Sequence, residues 1–258
     1  MANARPTSPR VTPTVQEVRT WYNQRYDALG LRSMRPFAAY PQFLDLLRVR
    51  AGTRLLDVSC GTGFLIQAAR ARGVTACGVD VSDAAVRLAH QAAPDARLAV
   101  GAGEDLCFRD ATFDSVTCLG SLEHFLDVGR GLREFLRVAK PDAQLCVMVP
   151  NRNFVGWRIL GHRGTAQQDI NERLLSLPEW RRTFEEHGLR VRAVVPDRWH
   201  AVKWRQAGQG GALRALKGLL LELAWRCIPL AWEYQFIFLL ERASPDSIPP
   251  TGPRSPAS

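Results

Sequence analysis

The 258 residues carry a formal net charge of +9 and a hydrophobic fraction of 46%, enough apolar content to bury one substantial core without a second domain. Apart from Lys140, Lys203 and Lys217 the positive charge is all arginine, dispersed along the chain; that dispersion, with no recognisable binding module, argues against a nucleic-acid partner and for a solvated basic surface. The six cysteines form no CxxC pair and mostly fall in apolar runs, and the N-terminus MANARPTSPR has no apolar signal core, so the expectation is a cytoplasmic protein with reduced thiols and without disulfides or zinc.

Residues 1–13 and 243–258, rich in Pro, Ser, Thr or Arg, are expected to be disordered tails. Between them, 14–242 is expected to form one domain. It opens with a helical stretch, Val15–Arg50, in which Trp21, Tyr22 and Tyr26 stand close together. The apolar run Arg54–Ser59 then reads as a buried strand that turns through Cys60-Gly61-Thr62-Gly63 into a helix over Phe64–Arg72. Glycine has no Cβ to block close approach, and the first amides of a helix lack intrahelical partners, so such a turn can face a ligand; it also occurs as a plain tight turn that binds nothing. A second strand, Val74–Val79, ends at Asp80, about 20 residues beyond the glycines, where a carboxylate can accept from ribose hydroxyls. Ile66 occupies the position of the third glycine of a dinucleotide motif, and Asp57 just before the turn would repel a pyrophosphate. That carboxylate suits a ligand bearing an ammonium and a sulfonium, which describes S-adenosyl-L-methionine.

Further strands are expected at Arg97–Val100, Ser115–Leu119, Gln144–Val149, Leu189–Val195 and Gln235–Leu240, with helices between most of them. This alternation implies a parallel sheet covered on both faces. The helix Gly129–Val138 has Leu132, Phe135, Leu136 and Ala139 at helical spacing, with Pro141 as its stop. Another runs from Pro178 to His187 and ends before Gly188. Just past the fourth strand lies Ser121-Leu122-Glu123-His124-Phe125. His124 at the carboxyl edge of the sheet is the candidate general base, since an imidazole titrates near neutrality and can take a hydroxyl proton; a histidine here can equally cap a helix or orient a loop. Polar loop residues Asn151, Asn153, His162, Gln167, Gln168 and His200 are further candidates on the acceptor side or ordinary surface groups. Between the last two strands, Trp199–Trp232 is an insertion whose apolar helix, about 213–232, is interrupted by Lys217, Glu222 and Arg226 and ended by Pro229. It is too charged to span a bilayer. It either packs on the sheet, walls an apolar acceptor pocket, or makes a peripheral membrane contact.

Three motifs in order, LLDVSCGTG, CGVDVSDAAVRLA and GAGEDLCFRDATFDSVTCLGSLEHF, resemble those of class I S-adenosylmethionine-dependent methyltransferases, within them the type 11 group that includes quinone-biosynthesis enzymes. The resemblance covers Leu44–Asn151 well and implies a Rossmann-like α/β fold with a seven-stranded sheet in the order 3-2-1-4-5-7-6, its last strand antiparallel. It also implies that the leading helices fold over the cofactor, with Arg35 either reaching its carboxylate or standing on the surface. By the same resemblance Asp57 faces the methionine amino group, Gly61 and Gly63 pack on the methionine and ribose, Asp80 holds the ribose hydroxyls, Val81 lies against the adenine, and Leu119 gives a backbone contact. The adenine loop departs from the pattern: where Gly-Asp-Ala is usual, this chain has Gly101-Ala102-Gly103-Glu104-Asp105. The backbone of Ala102 and Gly103 is then expected to serve the adenine, with Glu104 either replacing the carboxylate or remaining a solvated charge. Gly120 stands where related O-methyltransferases have a metal-site glutamate, so no metal is expected. Leu119-Gly120-Ser121 likewise lacks the run that base-methylating relatives carry there. The function implied is methyl transfer, to oxygen on a small-molecule, glycan or lipid-like acceptor; a non-catalytic cofactor-binding partner or regulator is the alternative.

Overall fold

In the computed structural model, residues 12–157, 170–197, 199 and 227–244 are described. Seven strands, β1 (Arg54–Val58), β2 (Thr75–Asp80), β3 (Arg97–Val100), β4 (Phe113–Leu119), β5 (Ala139–Pro150), β6 (Leu189–Pro196) and β7 (Gln235–Arg242), form one sheet in the order β3-β2-β1-β4-β5-β7-β6. The first five are mutually parallel and β7 runs antiparallel to both β5 and β6, as expected. Strand order therefore reverses direction between β1 and β4, and the crevice beyond their carboxyl ends is where open α/β sheets bind ligands.

Alternation of side chains along each strand feeds two cores. Leu56, Val58 and Val116 pack in one layer with Leu132, Phe135, Trp180 and Phe184 from helices α5 (Val128–Val138) and α6 (Leu177–Glu186). Their neighbours Leu55 and Ala76 pack in the other with Phe43, Leu44, Leu65 and Ile66 from α2 (Pro41–Leu46) and α3 (Phe64–Arg70). Helix α4 (Asp83–Ala92) follows β2, and α1 (Val15–Leu29) packs across it with Tyr26 against Ala84 and Ala85. Local chemistry sets the helix starts. Thr14 and Glu17 form a capping box at α1, Ser176 and Glu179 another at α6, and the Asp127 carboxylate accepts from the Arg130 amide at α5.

Pro141 is not the stop of the helix before it. Helix α5 passes straight into β5 at Ala139, which already has extended backbone, and Pro141 lies within the strand where the β4–β5 register shifts between the pairs Phe113↔Ala139 and Ser115↔Gln144. Proline is tolerated there because the irregularity demands no ladder hydrogen bond of it. The leading segment is also more broken than a single helical stretch: after α1 come two short 3-10 turns, Gly30–Ser33 and Phe37–Ala39, and then α2. The expected helix at about 213–232 lies outside the described residues up to 226, as do His162, Gln167, Gln168 and His200 and most of both tails. Among the described residues no helix is long and apolar enough to cross a membrane.

Candidate functional site

Beyond the carboxyl ends of β1, β2 and β4 lies a cavity of ≈ 570 Å³ including its open mouth, within the range of small-molecule sites. Its floor comes from the sheet and the loops that leave it: Ser59, Asp80, Val81, Ala102, Gly103 and Glu104 on one side, and Ser121, His124, Phe125 and Leu126 on the other. Helix α1 roofs it with Val15, Val18, Tyr22 and Tyr26. Six of the ten sequence-predicted residues thus meet round one cavity. Asp57, Gly61, Gly63 and Leu119 stand outside its lining.

Each of those four has a defined place. Gly61, at φ +53, lies beneath α1 and the turn after it, since a Cβ there would come 2.6 Å from the Met34 Cε and 3.0 Å from the Tyr26 hydroxyl. Gly63, at φ +74, starts α3 in the left-handed region, where a Cβ would press on Ala89 of α4 at 3.0 Å. Asp57 sits opposite Thr117 in the β1–β4 register and accepts its hydroxyl at 2.7 Å, so this pair bridges the reversal of strand order. Leu119 closes β4 and packs against the α2–α3 core.

Asp80 ties the site together. Its carboxylate accepts from the Gly61 amide and the Ser82 amide, both at 2.9 Å, while lining the cavity with the rest of its lone pairs. Burial pushes the Asp80 carboxyl up to about 6 and the Asp57 carboxyl up to about 7, against the hydrogen bonds that pull each down. No cation stands among the groups that set either value. Two buried acids without a counter-charge among the described residues suit a cationic, ribose-bearing ligand and disfavour an anionic one, so the residues present fit S-adenosylmethionine.

Glu104 is neither free nor solvated. Largely buried, it accepts from the Leu126 amide at 2.8 Å and so fastens the Gly101–Asp105 loop to the loop leading into α5, while Asp105 is exposed beside Arg130 at 3.8 Å. Arg35 is not a surface arginine. It pairs with the buried Asp197 at 2.8 Å and donates to Gln235, joining the segment after α1 to the ends of β6 and β7. His124 is 5% exposed, its Nδ1–H donates to the Asn171 carbonyl, and its Nε2 has no hydrogen-bond partner. Burial depresses its pKa, so the ring is neutral near pH 7 with Nε2 as the unprotonated nitrogen. The Asn171 side-chain amide donates back to the carbonyls of His124 and Phe125 at 3.1 and 3.2 Å. Thr117, Asn171 and the roofing Val15 and Val18 were not predicted from the sequence. They act through tertiary proximity; only the hydroxyl of Thr117 within an apolar strand is a local sign. Among the described residues no cluster of metal-ligating side chains is found.

Residues 56–147 match the type 11 family model described as Methyltransferase domain. A ubiquinone biosynthesis O-methyltransferase of Pseudomonas entomophila is 31% identical over 146 residues, and one of Hahella chejuensis 31% over 138. These alignments cover 52% of this chain, which spans 59% and 57% of those relatives' lengths. Among solved structures, geranyl diphosphate C-methyltransferase from Streptomyces coelicolor superposes with a TM-score of 0.62 at 16% identity, covering 93% of this chain and 100% of that one. The [4+2]-cyclase SpnF gives 0.62 at 20% identity over 90% and 98%. The strand order, the buried Asp80 beyond the glycine turn and the matched segment agree: residues 56–147 form a methyltransferase domain of the type 11 family.

Proposed function

We propose that this protein transfers the methyl group of S-adenosylmethionine to a hydroxyl oxygen of a small-molecule, glycan or lipid-like acceptor, with His124 as general base. The fold does not choose the reaction, since a cyclase shares it. The observation that carries the reading is the state of His124: a neutral imidazole on the cavity wall, its Nδ1–H committed to Asn171, its Nε2 buried and open to accept a proton. The O-methyltransferase names of the sequence relatives support oxygen as the acceptor atom.

S-adenosylmethionine supplies, when bound, a methyl group already activated by its sulfonium. The chain's part is binding, alignment and proton removal. Asp80 would accept from the ribose hydroxyls, its direction fixed by the amides of Gly61 and Ser82. The backbone of Ala102 and Gly103 with Val81 flanks the adenine, and Asp57 offers negative charge toward the amino-acid end. Tyr22 and Tyr26 on α1 exclude water. His124 Nε2 would take the acceptor hydroxyl's proton, the one proton that methyl transfer to oxygen releases. Alignment of the two reactants accounts for as much as about 7–11 kcal/mol of such a barrier.

Calorimetric titration with S-adenosylhomocysteine followed by a labelled-methyl screen over hydroxylated acceptors tests this. Micromolar binding and transfer that His124→Gln abolishes without loss of cofactor affinity are expected. Transfer undiminished in His124→Gln would remove the base assignment, and binding without transfer to any acceptor pool would leave the non-catalytic reading in its place.

A further inference from the structure

We infer that Glu123 is the proton-holding partner of His124, so that the base of the proposed reaction is a carboxyl–imidazole pair and not a lone histidine. The inference rests on the reading of His124 above. Glu123 lies in the 3-10 turn Leu122–His124 and is 1% exposed. Its Oε1 stands 3.8 Å from His124 Nε2, and its Oε2 is fully buried with no hydrogen-bond partner. A buried, unpartnered carboxyl oxygen is unfavourable, so its persistence beside an equally unpartnered imidazole nitrogen calls for a reason. Slack in the loop is not that reason. The Arg173 amide donates to the Glu123 carbonyl at 2.8 Å, the His124 amide to Ser121 at 2.9 Å, and Asn171 clamps the next two carbonyls.

Among the described residues the surroundings leave the pair to itself. Glu123 is faced by Glu172 from the segment before α6, Arg35 from the segment after α1, Tyr22 from α1, Tyr234 ahead of β7 and Cys118 from β4. Arg35, the one cation among them, is engaged by Asp197 and Gln235. His124 is faced by Glu172 and Arg25, and its ring meets Tyr22 edge-on with centroids 6.4 Å apart. Burial pushes the Glu123 carboxyl up to about 8 while it pushes the His124 imidazole down, so near neutrality the pair holds one proton, on Glu123. When the acceptor hydroxyl delivers its proton to Nε2, Glu123 releases its own to solvent, leaving a carboxylate beside an imidazolium. The imidazolium proton then returns to Glu123. One proton leaves per methyl transferred and no other reactant is needed.

The test needs neither cofactor nor acceptor. In histidine-labelled protein, the His124 ring resonance, identified by its loss in His124→Gln, is followed from pH 5 to 9.5. Two steps are expected in the wild type, one below the ordinary histidine range and one near 8, and Glu123→Gln should keep the first and lose the second. A wild-type resonance without the upper step, or one that Glu123→Gln leaves in place, overturns the inference; the first of these needs no variant to fold. In turnover, the ratio of wild-type to Glu123→Gln kcat should grow from a few-fold at pH 7 to about tenfold at pH 9, whereas a purely structural residue gives a constant ratio. Failure of the methyltransferase reading shows separately, as absence of S-adenosylhomocysteine binding with the NMR coupling intact.

Discussion

Asp80 spends two lone pairs on the amides of Gly61 and Ser82 and turns the others to the cavity. Asp80→Asn keeps the size but loses an acceptor, so S-adenosylhomocysteine affinity should fall by about 1–3 kcal/mol; calorimetry checks it, and unchanged affinity in a folded variant would refute the ribose contact. This residue was legible because a strand end at a fixed spacing from a glycine turn is a local pattern. Gly61 was legible for the same reason, and its φ of +53 bears it out as a turn, but the packing of Met34 and Tyr26 over it was not. Asn171 was invisible: nothing in a lone asparagine tells that its carbonyl will hold a histidine 47 residues away. Ser59 carries a further unread feature, a φ of +58 on the cavity wall. A non-glycine residue held there is strained, so Ser59→Gly should raise stability slightly, by up to about 1 kcal/mol, as read by denaturant unfolding.

Helix α1 is held on the mouth of the site by a small set of polar contacts. Arg19 Nε donates to the Val81 carbonyl at 3.0 Å; Asn23 donates to Asp83 at 2.6 Å and accepts from the Ser82 hydroxyl at 2.6 Å. These bonds fasten the roof to the turn between β2 and α4 that carries Val81, so on the proposed cofactor placement release of the nucleoside would require them to break. Asn23→Ala should speed S-adenosylhomocysteine dissociation several-fold with a smaller effect on association, as measured by stopped-flow displacement; an unaltered rate would mean that α1 does not gate exit. At this scale the helices and strands were readable from periodicity, because each has one buried stripe or alternates across the sheet. Pro141 misled because a proline is a stop signal in a helix and equally at home in a bulged strand; which applies depends on the register with β4, which one strand's sequence does not contain.

Among the described residues burial pushes up four carboxyls at the carboxyl end of one sheet, Asp80 to about 6, Asp57 to about 7, Glu123 to about 8, and Glu104 above its ordinary value. In the unfolded chain such groups titrate near 4. Between those limits the folded protein binds more protons than the unfolded one, so their contribution to stability is present at low pH and is lost as pH rises through the folded values. The ligand-free protein should therefore lose several degrees of thermal midpoint from pH 5 to pH 8. A cationic cofactor reverses the sense of the same groups, because its charge is held by Asp57 and Asp80 only once they are ionised. Affinity for S-adenosylmethionine should rise over this window with release of protons, and the ligand-induced increase in thermal midpoint should be larger at pH 8 than at pH 5. Scanning fluorimetry with and without ligand at the two pH values reads both effects, and calorimetry in buffers of different ionisation enthalpy counts the protons. A thermal midpoint that is flat or rising without ligand, with the same ligand-induced shift at both pH values, would mean that these carboxylates are already ionised in the free protein. The acidic end of the sheet would then be a preformed cation site, not one that the cofactor's charge completes.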